Sequence, residues 1–271
     1  MQRRQFLAAS LASSAVAFTP DALASSIDGA GQSAGPRERE FYQIRQYHLA
    51  TGSQTSLTEH YFSDALVPAL GRMGLGPVGA FRLDIGPETP QFYLLIPGPS
   101  ADKLANLDFS LAEDSAFMQA AAPFWNAPAN APAFGRVEVS LLSAFEGWPR
   151  LTPPPSSATK ANRIFQLRTY ESPSHQDHVR KVEMFNHGEF QIFQTAGFNP
   201  VFFGDTLIGT RMPCLTYMLE MGDLSELNPK WHAFQNDPAW KKLSLDQRYS
   251  FEQIVDNISN LVLSPLQASQ I

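Results

Sequence analysis

Residues 42–117 and 165–240 align with each other at a constant offset of 123, without a gap. The first segment opens with the sequence YQIRQY and the second with FQLRTY. Turn residues stay in register, as Gly74 with Gly197 and Pro90 with Pro213 illustrate. Because unrelated segments do not keep turn residues aligned over such a length, the sequence predicts two copies of one structural unit.

Each copy has the pattern strand, helix, strand, strand, helix, strand. In the second copy, Ser174 and Asp177 form a capping box that begins a helix, and Gly197 ends that helix. This element order is that of the split βαββαβ, or ferredoxin-like, unit. We therefore predict an α+β fold in which two tandem ferredoxin-like modules, each with its own helices on one sheet face, pack sheet to sheet as an α/β barrel.

The N-terminus has the composition of a targeting segment. Arg3 and Arg4 precede an apolar stretch at 7–18, and Ala22 and Ala24 are small residues suited to signal peptidase. We expect export to the periplasm by the twin-arginine route. The predicted organisation is a signal peptide (1–24), a flexible spacer (25–39), a first module (40–148), a Pro-rich linker (149–161) and a second module (162–265).

Composition narrows the function classes. Asp and Glu number 26 against 20 Lys and Arg, and no basic run interleaves with aromatic residues, so nucleic acid is not an expected partner. No apolar stretch reaches the roughly 20 residues that a bilayer span needs. The single cysteine, Cys214, forms neither an internal disulfide nor a redox pair. No Gly-x-Gly-x-x-Gly follows a predicted strand, no Gly-x-Ser-x-Gly elbow lies in either module, and His-Glu-x-x-His does not occur, so no cofactor or metal is predicted.

Three motifs are informative together: the Gln-x-Arg-x-Tyr opening of each copy, the Gly-x-x-Pro-Val turn after the first helix, and the segment 231–241 with its paired tryptophans and Asp-Pro. They resemble the NIPSNAP family, of the dimeric α/β-barrel superfamily. The first copy departs from that last motif, with Asp108, Ser115 and Phe117 in place of Trp231, Pro238 and Trp240. The resemblance implies the barrel fold. It implies little chemistry, because the superfamily includes monooxygenases, haem-dependent enzymes and binding proteins.

The opening strands carry the sharpest chemical signal. Side chains alternate along a strand, so Phe165 and Leu167 lie on one face and Arg168 and Tyr170 on the other. We expect the apolar face to lie under the helices and the polar face to meet the partner sheet. Two guanidiniums enclosed there would need an anion or carboxylates. The predicted ligand-binding residues are Arg45, Tyr47, Arg168 and Tyr170, with solvent exposure or an internal salt bridge as the competing interpretation.

The second copy holds further candidates, all of them secondary. Glu189 lies in an apolar helical stripe where the first copy has Leu66, which suggests a general base or a carboxylate paired with His178. The tryptophans Trp231 and Trp240 have the spacing of a core or interface group. His232 beside them could carry a proton, although a surface position is the simpler interpretation.

Two function hypotheses remain open. The first is an exported NIPSNAP-type protein of undefined activity that binds a small, anionic molecule or a protein partner, with a homodimer as one assembly. The alternative is a periplasmic oxidoreductase or monooxygenase-like enzyme that acts on a small hydrophobic or aromatic substrate. The first is favoured because the sequence has no recognisable cofactor site.

Overall fold

The computed structural model describes residues 38–271. The predicted signal peptide and all but the last two residues of the predicted spacer lie outside the described residues. Eight strands dominate the fold. They are β1 (Phe41–His48), β2 (Gly79–Ile85), β3 (Gln91–Gly98), β4 (Arg136–Ala144), β5 (Ile164–Glu171), β6 (Asn199–Ile208), β7 (Cys214–Met221) and β8 (Asn257–Pro265).

The strands form a closed barrel in the order β1-β3-β2-β8-β5-β7-β6-β4, with every neighbouring pair antiparallel. The first half (residues 40–148) supplies β1 to β4 and the second half (residues 162–265) supplies β5 to β8. Two seams join the halves, β2 with β8 and β4 with β6. The mixed α/β barrel is thus present, and its halves are hydrogen-bonded edge to edge as well as facing one another.

Helices cover the outside of the barrel. They are α1 (Ser53–His60), α2 (Val67–Arg72), α3 (Ala101–Ala105), α4 (Leu107–Glu113), α5 (Ser115–Trp125), α6 (Pro155–Thr159), α7 (His175–Met184), α8 (Phe190–Thr195), α9 (Leu227–Asn236), α10 (Pro238–Ser244) and α11 (Phe251–Ile254). Ser174 caps α7 as predicted, because its hydroxyl accepts from the Asp177 amide. No helix in the described part of the chain has both the length and the apolar character needed to cross a membrane.

A π-helical turn interrupts the first long helix of each half, at Tyr61–Leu66 and at Phe185–Glu189, and the second is kinked, with non-helical backbone angles at His187 and Gly188. In the second half, Gly188 has a φ of 135°, a conformation that glycine adopts without strain. A π turn inserts an extra residue and rotates the side chains that follow it. These turns therefore decide which residues of the two helices face the sheet.

Three apolar layers result from this arrangement. The barrel interior holds a cluster that includes Tyr42, Leu95, Phe165 and Leu167. Between the sheet and the helices lies one cluster in each half, around Phe62 in the first and Phe185 in the second. The strands β1, β3, β6 and β7 are therefore buried on both faces over most of their length, whereas β2, β4 and β8 each have an exposed end.

Candidate functional site

The structure corrects the predicted orientation of the opening strands. Phe165 and Leu167 point into the barrel, whereas Tyr170 packs against the helices of the second half. Tyr47 likewise packs against the helices of the first half. Alternation separates two faces without saying which one is inward. Where the barrel interior is filled by apolar side chains, a guanidinium would have no partners there.

Arg45 lies under the helices of the first half, where three hydrogen bonds fix its position. Its Nε donates to Gln43 Oε1 at 2.6 Å, and Gln43 Nε2 donates in turn to the carbonyl of Leu104 at 2.8 Å. Arg45 Nη1 donates to Asp108 Oδ1 at 2.8 Å. The two partners of this ion pair differ in burial, since the Arg45 side chain is 6% exposed and that of Asp108 is 63% exposed.

A cavity of about 430 Å³ opens beside Arg45, and we call it the first-half pocket. Tyr61 forms much of its wall, stacked on Phe124 with ring centroids 3.9 Å apart. Trp125 Nε1 donates to the Tyr61 hydroxyl at 3.1 Å. The polar residues of the lining are Arg45, Tyr47, Tyr61 and Asp108, and the others are Phe124, Trp125, Phe134, Val137 and Val139.

The phenols of the first-half pocket are held in their neutral form. Burial raises the pKa of Tyr47, and the nearby Arg45 guanidinium only partly opposes that rise. Burial also raises the pKa of Tyr61 far above its ordinary value. Both hydroxyl groups are therefore protonated at neutral pH and can donate a hydrogen bond.

Arg168 occupies the corresponding place in the second half, where it is enclosed by protein groups. Its guanidinium lies 4.1 Å from the ring centroid of Trp231, and its Nη2 donates to the Tyr170 hydroxyl at 3.0 Å. Asn260 accepts from its Nη1. Trp231 stands where the first half has Asp108, so an indole stacks on this arginine in place of a carboxylate. Arg168 and Tyr170 thus lie together under the helices of the second half, whereas Arg45 and Tyr47 lie under those of the first half, so the four residues do not line one cavity between two sheets.

A fully buried ion pair lies next to Tyr170. Lys181 Nζ is 2.7 Å from Glu189 Oε2, and the two side chains are 0% and 1% exposed. Burial raises the pKa of Glu189, and Lys181 opposes that rise; burial lowers the pKa of Lys181, and Glu189 opposes that fall. The Phe185 ring lies 4.4 Å from the ammonium. Water has no access to this pair. The pair is therefore suited to fixing a conformation and not to transferring protons.

One interpretation of the sequence paired Glu189 with His178, but the structure does not contain this pair. His178 Nε2 instead lies 2.7 Å from Asp205 Oδ1 on β6. In a regular helix, residues eight apart differ by about 80° in direction. The extra residue of the π turn brings Glu189 round to the face of Lys181.

The remaining candidates have structural surroundings. Trp231 Nε1 donates to Gln166 Oε1 at 2.8 Å, and the ring packs with Phe198 and Phe234. Trp240 also packs on Phe234. His232 is exposed and contacts the Asn236 amide at 3.0 Å, in agreement with a surface role.

Sequence reasoning missed three residues of these sites. Tyr61 and Lys181 gave no signal. A helical pattern read at 3.6 residues per turn gives the wrong relative direction for residues on the two sides of a π turn. Asp108 was recognised only as a departure from the motif at Trp231. Its charge at that position could have suggested a partner for Arg45. Within residues 38–271, no group of three or more His, Cys, Asp or Glu residues is placed to hold a metal ion.

The fold belongs to the class of α+β proteins built on a closed antiparallel barrel. Residues 165–270, which are less than half of the chain, match the NIPSNAP family model. The match covers Arg168, Tyr170 and the buried Lys181–Glu189 pair, and it leaves the first-half pocket outside. A comparison with curated proteins found no match.

Solved structures resemble the whole barrel. A candidate monooxygenase from Fusobacterium nucleatum has a TM-score of 0.55 at 9% identity, over 85% of this chain and 94% of that one. Another, from Lactobacillus acidophilus, has a TM-score of 0.55 at 11% identity, over 86% and 97%. An anthrone oxidase-like protein has a TM-score of 0.52 at 10% identity, over 86% and 93%. At such identities the likeness establishes the fold alone.

Proposed function

We propose that this protein binds a small aromatic molecule with an anionic group in the first-half pocket. The observation that carries the proposal is a cavity of about 430 Å³ in which a buried arginine and two neutral phenols meet an aromatic wall. Ligand pockets are commonly apolar with a few polar groups that orient the ligand. An aromatic carboxylate has that division of polarity.

The ion pair of Arg45 supports an anionic ligand. Arg45 is held by Gln43 inside the protein, while its partner Asp108 extends from α4 into solvent. A ligand carboxylate could take the place of Asp108 without moving the arginine. A guanidinium binds a planar carboxylate through two hydrogen bonds, and the tyrosine hydroxyls supply further donors.

The test is a titration with 2-naphthoate, followed by tryptophan fluorescence and calorimetry. Replacing Arg45 by Met should weaken binding by at least tenfold, the loss expected when about 1.5–3 kcal/mol of charged hydrogen bonding is removed. Asp108→Asn should strengthen binding several-fold, because the carboxylate that competes for Arg45 is gone. The matched control is Arg82→Met, an exposed arginine paired with Asp84 on β2.

Two results would contradict the proposal. One is 2-naphthoate affinity that is unchanged in Arg45→Met while the fold is intact by circular dichroism. The other is weaker binding in Asp108→Asn, since that would make the carboxylate a ligand contact and not a competitor. Neutral 2-naphthol serves as the comparison ligand, and its affinity should respond less to both substitutions.

A second candidate function is oxidation of an aromatic substrate in the same pocket. What favours it is the convergence of the Tyr47 and Tyr61 hydroxyls on an aromatic-walled cavity, where a substrate oxygen could be polarised. Proteins of similar fold are named as candidate monooxygenases and as anthrone oxidase-like. Oxygen uptake with anthrone as the probe would support this function if Tyr61→Phe slowed it. Uptake at the rate of buffer alone would exclude anthrone oxidation.

We also propose export by the twin-arginine route to the periplasm, with removal of the first 24 residues. The support is the Arg3-Arg4 pair and the Ala22-x-Ala24 site. Replacing both arginines by lysine should leave precursor in the cytoplasm, as immunoblots of cell fractions would show. Unchanged processing of that variant would refute the proposal.

The proposed organisation is a duplication of one ferredoxin-like module. Its support is the equal strand order of the halves, β4-β1-β3-β2 and β8-β5-β7-β6, together with the constant sequence offset. Superposition of residues 40–148 on 162–265 tests it, and a mismatch in element order or direction would overturn it. A protein partner or a homodimer is a further proposal, and light scattering of the purified protein would detect the homodimer.

A further inference from the structure

A second cavity, of about 530 Å³, opens at one end of the barrel interior, and we call it the barrel mouth. It lies on the opposite sheet face from the first-half pocket. The strands change character along their length here. Ile44, Leu167 and Leu261 form an apolar floor, and the residues beyond them on the same face are polar, as Gln46 and Thr169 illustrate.

A chain of hydrogen bonds orders the polar groups on the first-half side of the barrel mouth. Gln91 Oε1 accepts from Gln46 Nε2 at 2.9 Å and from the Tyr93 hydroxyl at 3.0 Å. These two donors fix the orientation of the Gln91 amide, so its Nε2 faces His48 Nδ1 at 3.0 Å. Glu88 Oε2 lies 3.2 Å from that Nε2 and 3.2 Å from His48 Nδ1.

His48 is buried at the barrel mouth. The residue is 9% exposed, and its Nε2 makes no hydrogen bond in the described part of the chain. Glu138 Oε1 lies 3.2 Å from Nε2 and Glu88 Oε2 lies 3.2 Å from Nδ1, so the ring is held between two carboxylates.

The charges around the barrel mouth are largely paired with one another. Arg136 contacts Glu138 at 2.9 Å and Glu88 at 3.5 Å. On the opposite rim, Arg211 contacts Glu171 at 3.5 Å and donates to the Ser259 hydroxyl. A charged ligand would have to disrupt one of these pairs, whereas a neutral ligand would not.

The second-half side of the barrel mouth is rich in hydroxyl groups. Thr169 and Thr216 share a hydrogen bond of 2.9 Å between their hydroxyls, and Ser259 and Thr206 line the same wall. Hydroxyl and amide groups can both donate and accept, which suits a ligand that presents hydroxyls in several directions. The apolar floor suits the C–H face of a sugar ring.

From these observations we infer that the barrel mouth binds a neutral, polyhydroxylated molecule of monosaccharide or disaccharide size, held by the hydroxyl-rich wall and the apolar floor. This site is separate from the first-half pocket and does not depend on the function proposed for that pocket.

The experiment is a titration of the isotope-labelled protein, observed through backbone amide resonances. The neutral probes are D-glucose, D-galactose and maltose, and the charged probes are D-glucuronate and D-glucosamine. At least one neutral sugar should shift amides of Thr169 and Thr216, with weaker binding by the charged sugars. Thr169→Val keeps the side-chain shape and should weaken that binding about fivefold, the effect of one neutral hydrogen bond. Thr195→Val, on the exposed face of α8, is the matched control.

The outcomes separate the alternatives. Tighter binding of D-glucuronate or D-glucosamine than of every neutral sugar would overturn the inference in favour of a charged ligand. Absence of binding by all five probes, shifts confined to residues outside the barrel mouth, or an equal effect of Thr169→Val and Thr195→Val would also overturn it. Ser259→Ala provides a second lining variant if Thr169→Val does not fold.

Discussion

At the scale of single residues, one difference separates the two arginine sites. In the first half, Gln43 Oε1 accepts from Arg45 Nε and the guanidinium reaches Asp108. In the second half, Trp231 Nε1 takes the equivalent acceptor on Gln166, and Arg168 Nε is left buried without a hydrogen bond in the described part of the chain. The residue that faces the arginine thus decides its surroundings. Asp108 gives a pocket beside an exposed ion pair, and Trp231 gives an enclosed cation–π contact.

Trp231→Phe is expected to destabilise the protein by about 1–2 kcal/mol. The substitution keeps an aromatic ring but removes the donor to Gln166 and weakens the contact with Arg168. Urea denaturation of the two proteins measures the difference in the free energy of unfolding. His232→Ala, on the exposed neighbour, should stay within about 0.5 kcal/mol of the wild type. A Trp231→Phe value inside that range would mean that neither contact contributes to stability.

At the scale of elements, the π turns bring side chains into contacts that a regular helix would not make. The turn at Tyr61–Leu66 includes Tyr61, which forms a wall of the first-half pocket, and the turn at Phe185–Glu189 sets Glu189 against Lys181. Thr58 and Leu66 hold the positions of Lys181 and Glu189 in the first half. The second half therefore has a buried ion pair where the first half has smaller or apolar side chains.

Removal of one partner from this ion pair should cost far more than removal of both. Lys181→Met or Glu189→Leu alone leaves a charge buried without its counterion, and each is expected to cost about 3–5 kcal/mol. The double variant replaces both with apolar groups of similar volume and should lie within about 1 kcal/mol of the wild type or above it. Denaturant unfolding of the four proteins completes the double-mutant cycle. If the stability losses of the two single variants add up in the double variant, the contact between Lys181 and Glu189 is not the cause of those losses.

At the scale of the whole molecule, barrel closure couples the halves. Both seams are antiparallel, and each has four residue pairs with one register shift among them. Separation of the halves would expose the edges of β2 and β4 on one and of β6 and β8 on the other. Unpaired edges are templates for association, which closure of a barrel removes.

The described chain is expected to unfold in one transition, and its halves are not expected to persist as monomers. Residues 38–161 or 162–271 produced alone should self-associate through the exposed edges, and an equimolar mixture should recover a 1:1 complex. Multi-angle light scattering measures the masses, and the intact chain is the control. A folded, monodisperse monomer of either half would contradict this expectation.

Local sequence determined the elements of this protein, and tertiary closure determined their orientation. Strand alternation, the Ser174 cap and the Gly197 stop were readable because each depends on neighbours along the chain. Alternation could not say that Phe165 faces the barrel interior and Arg168 the helices, since both faces are buried and only closure makes one of them the narrow interior. The Lys181–Glu189 pair, the Arg45–Asp108 pair and the burial of His48 at the barrel mouth depend on contacts between distant elements. Pairwise chemistry of that kind is fixed by three-dimensional packing, which no local pattern encodes.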